Sequence, residues 1–559
     1  VGDERAMARP SSSDDGPTTL STHIDRDILK GIPLEIVLKN LGRSFSNNTG
    51  HRVEFLKSVP VEDLSDFISH DWHTGRFSKT ITLCFLYNGA AASVISIIVA
   101  LLLTLLQSKL TPVGVLPLNR PYNPSIPDVE KLLEYGHYAQ LVCPYVFMYV
   151  LFYWQQIRVA FGLQTRKVFV DKFCIDQLDR AKKAKGIFGL AGFLNHTERL
   201  VICWSPQYFT RLWCTYEVAA WLYLGKPLSS IEFFPLATGV LLFAFFWFLQ
   251  LSAVGYHFGK ALFPYLDVMT ACLLAALCPF FTHVFRHLIH DLRMLPNQIE
   301  NFSITNSGCF CCSVDHKMPG TGDVLPCDRD IIFQTLGHWF TVSSSLQSEG
   351  MSEIERRTLN LEEFDKRVRA LFGPFILQSA GPTKVKFCYV FMASQPFVWG
   401  MIDSLVAFGQ VNNADVINWV VTYASFVFGS IPAALKIVFH LITFLNTWLG
   451  VHKNKCVDFL VSLSASFIVL LICFLAYFPL SITSKMVRES HSIRSWALFL
   501  GWCLFSILVS ILSFNIDRCL QNKASSRSCQ HVCFDKNSSD EPKQSHDDMA
   551  RVGSLDHPV

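Results

Sequence analysis

Charge is what this sequence has least of. Only 17% of its 559 residues are Asp, Glu, Lys or Arg, where a soluble domain carries about 25%. The net charge of +3 is too small to draw nucleic acid by bulk electrostatics, so no nucleic-acid partner is expected. Residues 1–30 are polar and contain no apolar stretch of the kind that marks a secretory signal. Val1, with Met7 shortly after, points to a start that is incomplete or misassigned. No internal repeat is visible. Cysteine is not scarce, at 18 residues, but none falls in the loops assigned below to the outer side of a membrane, so no disulfide framework is suggested. Cys84, Cys143, Cys272, Cys278, Cys388, Cys473 and Cys503 lie within apolar runs and read as small buried hydrophobes.

What is abundant is hydrocarbon. Half of the residues are hydrophobic, Phe alone occurs 47 times, and the mean hydropathy is +0.31. The apolar residues are gathered into long runs, and a run of about 18 or more is a membrane-helix candidate because only a helix satisfies its own backbone in hydrocarbon. Spans are expected at 83–106, 137–155, 235–254, 262–285, 387–411, 416–436, 457–482 and 494–516, about eight crossings. The sixth apolar stretch runs on to Trp448, so its tail from Ile437 is expected along the membrane surface. With this count the outer loops hold only Lys109, Arg120, Lys131, Lys260, Lys485 and Arg488 of the 48 basic residues. The positive-inside rule then places both termini and the large segments in the cytosol, and the short loop His452-Lys453-Asn454-Lys455 agrees. The sequons at Asn47, Asn195, Asn301 and Asn537 all fall on that side and are expected to be unused.

The cytosolic part reads as α/β. Leu64–Ser69, Lys167–Asp171, Leu200–Trp204 and Ser229–Phe234 are short apolar, β-branched or aromatic runs consistent with buried strands. Gly186 to Leu194 suits a short helix. Ser205 and Pro206 suit an N-cap and first helical position opening a second helix through Trp221. Strands alternating with helices imply a parallel sheet.

Three stretches carry a resemblance. Phe67-Ile68-Ser69-His70 resembles the first box of TIR domains. Val168 to Gln177 resembles their second strand and the loop after it. Ser205-Pro206-Gln207-Tyr208 through Leu212-Trp213-Cys214-Thr215-Tyr216-Glu217 resembles the TIR stretch in which a serine, a tyrosine and a Trp-Cys pair precede a helical glutamate. The implied fold is a polytopic α-helical membrane protein with a cytosolic α/β, flavodoxin-like TIR-type domain split by a transmembrane hairpin. Its expected parts are a disordered region at 1–50, a first TIR-like part at 51–82, the hairpin at 83–155 and the main TIR-like part at 156–234. Spans three and four follow at 235–285, a cytosolic Cys-containing segment at 286–386, the last spans at 387–516 and a disordered tail at 517–559. No third TIR box is visible, and the last strand and helix of such a domain are missing unless 287–386 supplies them.

Many TIR domains hydrolyse NAD+ to nicotinamide and an ADP-ribose product, and the resemblance makes Glu217 the catalytic carboxylate. A carboxylate beside the ribose stabilises an oxocarbenium-like state. Trp213, four residues earlier on a helix, would share its face and shield it. The plainer alternative is a surface glutamate pairing with Arg211 or Lys226. Arg180, Lys182 and Lys183, with Lys185, could attract the dinucleotide phosphates, although a solvated charge run needs no ligand. In the family, the loop that Cys174 to Arg180 resembles mediates self-association. The alternatives to an enzyme are a non-catalytic membrane scaffold recruiting partners and a transporter or channel. Transport would rest on intramembrane polar groups, here Asp403 and Asp267, with Lys436 snorkelling at the inner end of span six. A separate feature is Cys309-x-x-Cys312 with His316 and Cys327, a donor set for tetrahedral zinc, with free or acylated thiols as alternatives. Cys529, His531 and Cys533 in the tail make a weaker group.

Overall fold

The computed structural model describes residues 20–46, 52–108, 136–262, 266–318, 320, 322–341, 352–380, 385–407 and 413–535. Outside them lie Asn47, Asn537, Lys109, Arg120, Lys131 and the tail beyond 535; the side chains of Arg180, Lys260, Asp267, Cys272, Cys529, His531 and Cys533 are also outside the description.

Six strands make one mixed sheet: β1 (Lys30–Pro33), β2 (Val59–Pro60), β3 (Leu64–His70), β4 (Lys167–Phe169), β5 (Thr197–Trp204) and β6 (Ile231–Pro235), in the order β2-β1-β4-β3-β5-β6. All four expected strands are present, as β3 to β6, and they are mutually parallel. Numbered among themselves they lie 2-1-3-4, so the order reverses between β3 and β5. Parallel strands covered on both faces read as continuous apolar runs, and β5 fits this: Leu200, Val201, Ile202 and Cys203 are all buried. Phe67 of β3 stacks on Phe169 of β4 with centroids 4.3 Å apart. The one charge inside β3, Asp66, is fully buried; Arg199, its register partner on β5, meets it at 2.6 Å and Arg166 at 3.4 Å.

The first expectation to fail is disorder through residue 50. Residues 30–33 form β1, antiparallel to β4, and Leu34, Val37 and Leu38 just after it are buried in the core. The apolar residues in this short polar-flanked stretch find cover against β4 and the helices, which composition alone does not show.

The chain leaves β3 and returns to β4 through helices Arg76–Gln107 and Tyr138–Ala160. They are tied by Asn88, whose Nδ2 donates to Leu151 O at 2.8 Å and whose Oδ1 accepts from Gln155 Nε2 at 2.7 Å. A pair of packed helices therefore separates β3 from β4 along the chain. At the other edge β6 runs straight into helix Leu236–Leu262.

The protein is mostly helical, and five helices among the described residues are long and apolar enough to cross a membrane: Arg76–Gln107, Leu236–Val254, Ala414–Leu449, Lys455–Ser490 and Ile493–Phe514. Helices also occupy the other expected spans, at Tyr138–Ala160, at Leu266–Glu300, and as two pieces, Phe387–Ala393 and Gln395–Ser404. The tail from Ile437 is not a separate surface segment, because Ala414 to Leu449 is one continuous helix. A wide π turn at Phe426–Ser430 immediately precedes Pro432 and lets the helix pass a residue that has no N–H to donate. The last helix continues to Asp535, beyond the end expected at 516.

Two polar groups expected within spans have structural employment. Asp403 accepts the backbone N–H of Ala139 at 3.2 Å and of Gln140 at 2.9 Å, at the N-terminal end of helix Tyr138–Ala160 where helix N–H groups lack internal partners. Lys436 does not snorkel outward: it is 2% exposed, with Nζ 4.7 Å from the ring centre of Phe514.

Candidate functional site

The carboxyl ends of β3 and β5 carry Ser69, His70 and Asp71 on one side and Trp204 and Ser205 on the other. The helix expected to open at Ser205 begins at Leu212 instead. A 3-10 turn, Tyr208–Thr210, intervenes, because Ser205 directs its hydroxyl to Asp71 Oδ2 at 3.4 Å rather than to a helical N–H. Asp71 is the hub of these loops: it also accepts from His73 N and Thr74 Oγ1, each at 3.0 Å, and from Arg211 Nε at 3.4 Å.

Helix Leu212–Tyr223 is buried around nearly its whole circumference. Glu217 is only 2% exposed. Its Oε2 accepts from Ser69 Oγ, and Ser69 Oγ in turn meets Tyr208 Oη at 2.5 Å. Burial holds the Tyr208 phenol well above its usual range, so it stays neutral and available to donate. Glu217 is therefore no surface carboxylate: Arg211 goes to Asp71, and Lys226 Nζ donates to Thr197 O.

Trp213 is 4% exposed and donates its indole N–H to Asp328 Oδ2 at 3.2 Å. Asp328 begins helix Asp328–Trp339, which belongs to the Cys-containing segment. At the far end of that helix Trp339 stacks on Tyr223, centroids 4.4 Å apart, and on Tyr216 at 5.7 Å. Gly308 in the same segment donates to Thr210 O at 2.8 Å and accepts from Leu212 N at 3.1 Å. The segment after residue 286 thus covers the helix that carries Trp213 and Glu217.

The basic stretch forms a helix, Arg180–Phe188, N-capped by Asp179, whose carboxylate accepts from Ala181 N at 3.0 Å and Lys182 N at 3.1 Å. Lys182 is exposed, Lys183 half-buried, and Lys185 pairs with Asp25 at 3.7 Å. Sequence reasoning passed over Asp71 and Asp328; the only signal for Asp71 was its place directly after a strand.

Among the described residues, two groups of side chains could hold a metal. In the first, Cys311, Cys312, His316 and Cys327 bring their ligand atoms within 4.8 Å of one another. Cys311 takes the place expected for Cys309, whose Sγ stands 3.4 Å from Cys311 Sγ. The Cys309 hydrogen bond and then burial push the Cys311 thiol up, and burial pushes Cys312 up to about 11, so a metal must displace protons to bind. The second group is His283, His287 and Asp458, between helices Leu266–Glu300 and Lys455–Ser490. His287 Nε2 lies 2.8 Å from Asp458 Oδ2, and His283 Nδ1 lies 2.9 Å from Ser462 Oγ. Arg286, fully buried, fills the middle: it donates to Asp458 Oδ1, Asp458 O, Gly450 O, Ser462 Oγ and Asn446 Oδ1 at 2.6 to 3.3 Å. Comparison with protein-family models, with curated proteins and with solved structures finds no match to this chain.

Proposed function

We propose that this chain is a polytopic membrane protein whose sheet is a cytosolic TIR-like module acting as a scaffold for partners or for its own copies. Support for the TIR-like part comes from the 2-1-3-4 order of β3 to β6, which is the flavodoxin-like order without its fifth strand. The three stretches that resemble TIR sequence map onto β3, onto β4 and its following turn, and onto the start of helix Leu212–Tyr223. About eight crossings put both termini in the cytosol; tags near Gly320 and at Val559 facing opposite sides would break that topology.

The observation that carries the scaffold reading is the burial of Glu217. Its carboxylate is engaged by Ser69, Ser69 by Tyr208, and its helix lies beneath the segment from Ser307 to Trp339. A ribose has no path to that carboxylate while the cover is in place. The second reading, NAD+ hydrolysis, is favoured by the position of the group. Ser69 and Glu217 meet at the carboxyl end of β3, beside the reversal in strand order, where open α/β sheets bind ligands. In that reading Glu217 stabilises the oxocarbenium-like state, Trp213 positions it, and Lys182 and Lys183, with Arg180, attract the phosphates. The transporter reading is weakened because Asp403 is occupied in capping a helix.

The deciding experiment is nicotinamide release from NAD+ by the full chain, clustered in liposomes, wild type against Glu217→Gln. The scaffold reading expects no release above the variant's background. Release by the wild type that a folded Glu217→Gln protein lacks would replace it with the hydrolase.

A further inference from the structure

Cys311 and Cys312 sit in the one-turn helix Phe310–Ser313, and Cys327 is the residue before helix Asp328–Trp339. The chain between them doubles back: Asp315 and His316 both take left-handed backbone angles, φ +50° and +56°. Leu325 N then donates to His316 O at 2.7 Å, and Lys317 bridges to Val324. Left-handed conformation at two successive non-glycine residues is disfavoured and persists where the surroundings fix it. The fold at this point delivers the His316 imidazole to three thiols. Cys312 Sγ and Cys327 Sγ stand 3.9 Å apart, close to the ~3.8 Å that separates two sulfurs each about 2.3 Å from a tetrahedral zinc. Asp328 N–H donates to Cys311 Sγ at 3.3 Å, the kind of outer hydrogen bond that steadies a metal-bound thiolate. Three sulfurs and one imidazole select zinc over the oxygen-seeking calcium and magnesium.

We propose that Cys311, Cys312, His316 and Cys327 hold one structural Zn2+, and that the ion is a clasp fastening the Cys-containing segment over helix Leu212–Tyr223. On binding, three thiols release their protons to solvent and the neutral imidazole donates a lone pair. The product is a closed Cys3His site of net charge −1, with no sulfur oxidised. The clasp follows from what each arm grips. The arm before the cluster exchanges backbone hydrogen bonds at Gly308 with Thr210 and Leu212, at the start of the covered helix. The arm after it holds Trp213 through Asp328 and stacks Trp339 on Tyr216 and Tyr223, toward the other end. The ion ties the two arms together where Cys311 and Cys312 meet Cys327, beside the Arg329 Nη2 to Ser307 O hydrogen bond, 2.7 Å, that also links them. The inference does not depend on the TIR-like reading.

The test uses the full chain in detergent, purified under reducing conditions and reconstituted with Zn2+. Metal analysis should find about one zinc per chain at this closed four-ligand site. Cys311→Ser and Cys327→Ser should each lose most of it, while Cys309→Ser keeps it. Co2+ in place of zinc in the wild type should give the intense visible bands of a tetrahedral thiolate site, a readout that needs no variant to fold. Chelation should speed amide exchange in residues 212–223, and returned Zn2+ should restore protection. A reconstituted wild type without zinc and without the cobalt bands overturns the site. Loss of metal in Cys309→Ser but not in Cys311→Ser overturns the ligand set. Bound zinc whose removal leaves exchange in 212–223 unchanged overturns the clasp.

Discussion

The two metal-capable groups differ in what already occupies them. Around Asp458 every charge is matched inside the protein: Arg286 donates to Oδ1 at 3.2 Å and His287 approaches Oδ2 at 2.8 Å. Around Cys311 no Lys or Arg pairs with the sulfurs among the described contacts; the neighbours are other thiols, an imidazole and the Asp328 N–H. Proximity of donor atoms is common to both groups, so it cannot be the criterion for a metal site. A buried carboxylate already carrying a guanidinium would bring a dication against a fixed positive charge, which low dielectric makes costly. The Asp458 group is a lock between two apolar helices, and the Cys311 group is open to an ion.

The largest effect that would sharpen this contrast comes from Asp458→Ala. Removing one partner of a buried, hydrogen-bonded ion pair leaves the other uncompensated, at a cost of about 3–5 kcal/mol. Thermal unfolding in detergent should fall accordingly, while zinc content stays at the wild-type level. Zinc loss in Asp458→Ala would mean the lock is itself a metal site. Glu217 offers the intermediate case, a buried carboxylate engaged by the Ser69 hydroxyl. Glu217→Ala leaves the buried Ser69 hydroxyl without that acceptor, for about 1–3 kcal/mol. Denaturant melts should register it, and a melt equal to wild type would contradict the structural role assigned to Glu217.

The sequence shows the parts of this molecule that depend on local runs and hides those that depend on distant partners. β3 to β6 are visible because each is a short, continuously apolar or β-branched run. The helices that could cross a membrane are visible because length and composition suffice. β1 is hidden because Lys30-Gly31-Ile32-Pro33 becomes a strand by pairing with partners elsewhere in the chain, β2 and, more than a hundred residues away, β4. For the same reason the helix at Leu212 starts later than its Ser-Pro signal suggests, since Ser205 finds Asp71 across the sheet. Sequence spacing selects Cys309 and Cys312 as a Cys-x-x-Cys pair, whereas the fold groups Cys311, Cys312, His316 and Cys327. The turn at Asp315 and His316, which no spacing rule encodes, decides it. Glu217 stands out in the sequence through a resemblance, but its burial is set by a cover contributed from residues 307–339, which no local run reveals.

Asp403 supplies the smallest expected effect, and it separates structure from transport. Its two oxygens each accept one N–H from the first turn of helix Tyr138–Ala160, Ala139 on Oδ1 and Gln140 on Oδ2. Asp403→Asn keeps one acceptor oxygen in nearly the same place and replaces the other with a donor that faces an N–H. One of two capping bonds is lost and the favourable charge at the helix N-terminus with it, so the cost should be about 1 kcal/mol. Asp403→Ala removes both bonds and should cost more, in the same direction. A residue that caps a helix behaves in this graded way, with melting temperature tracking the number of acceptor oxygens retained. A residue that carries a proton or cation across the bilayer behaves differently, because the uncharged isostere removes the exchangeable charge outright while leaving stability nearly intact. Equal melting temperatures for wild type and Asp403→Asn, together with abolished pH-driven flux in liposomes, would therefore return Asp403 to a transport pathway. A small graded loss of stability keeps it in the frame that joins helices Tyr138–Ala160 and Gln395–Ser404.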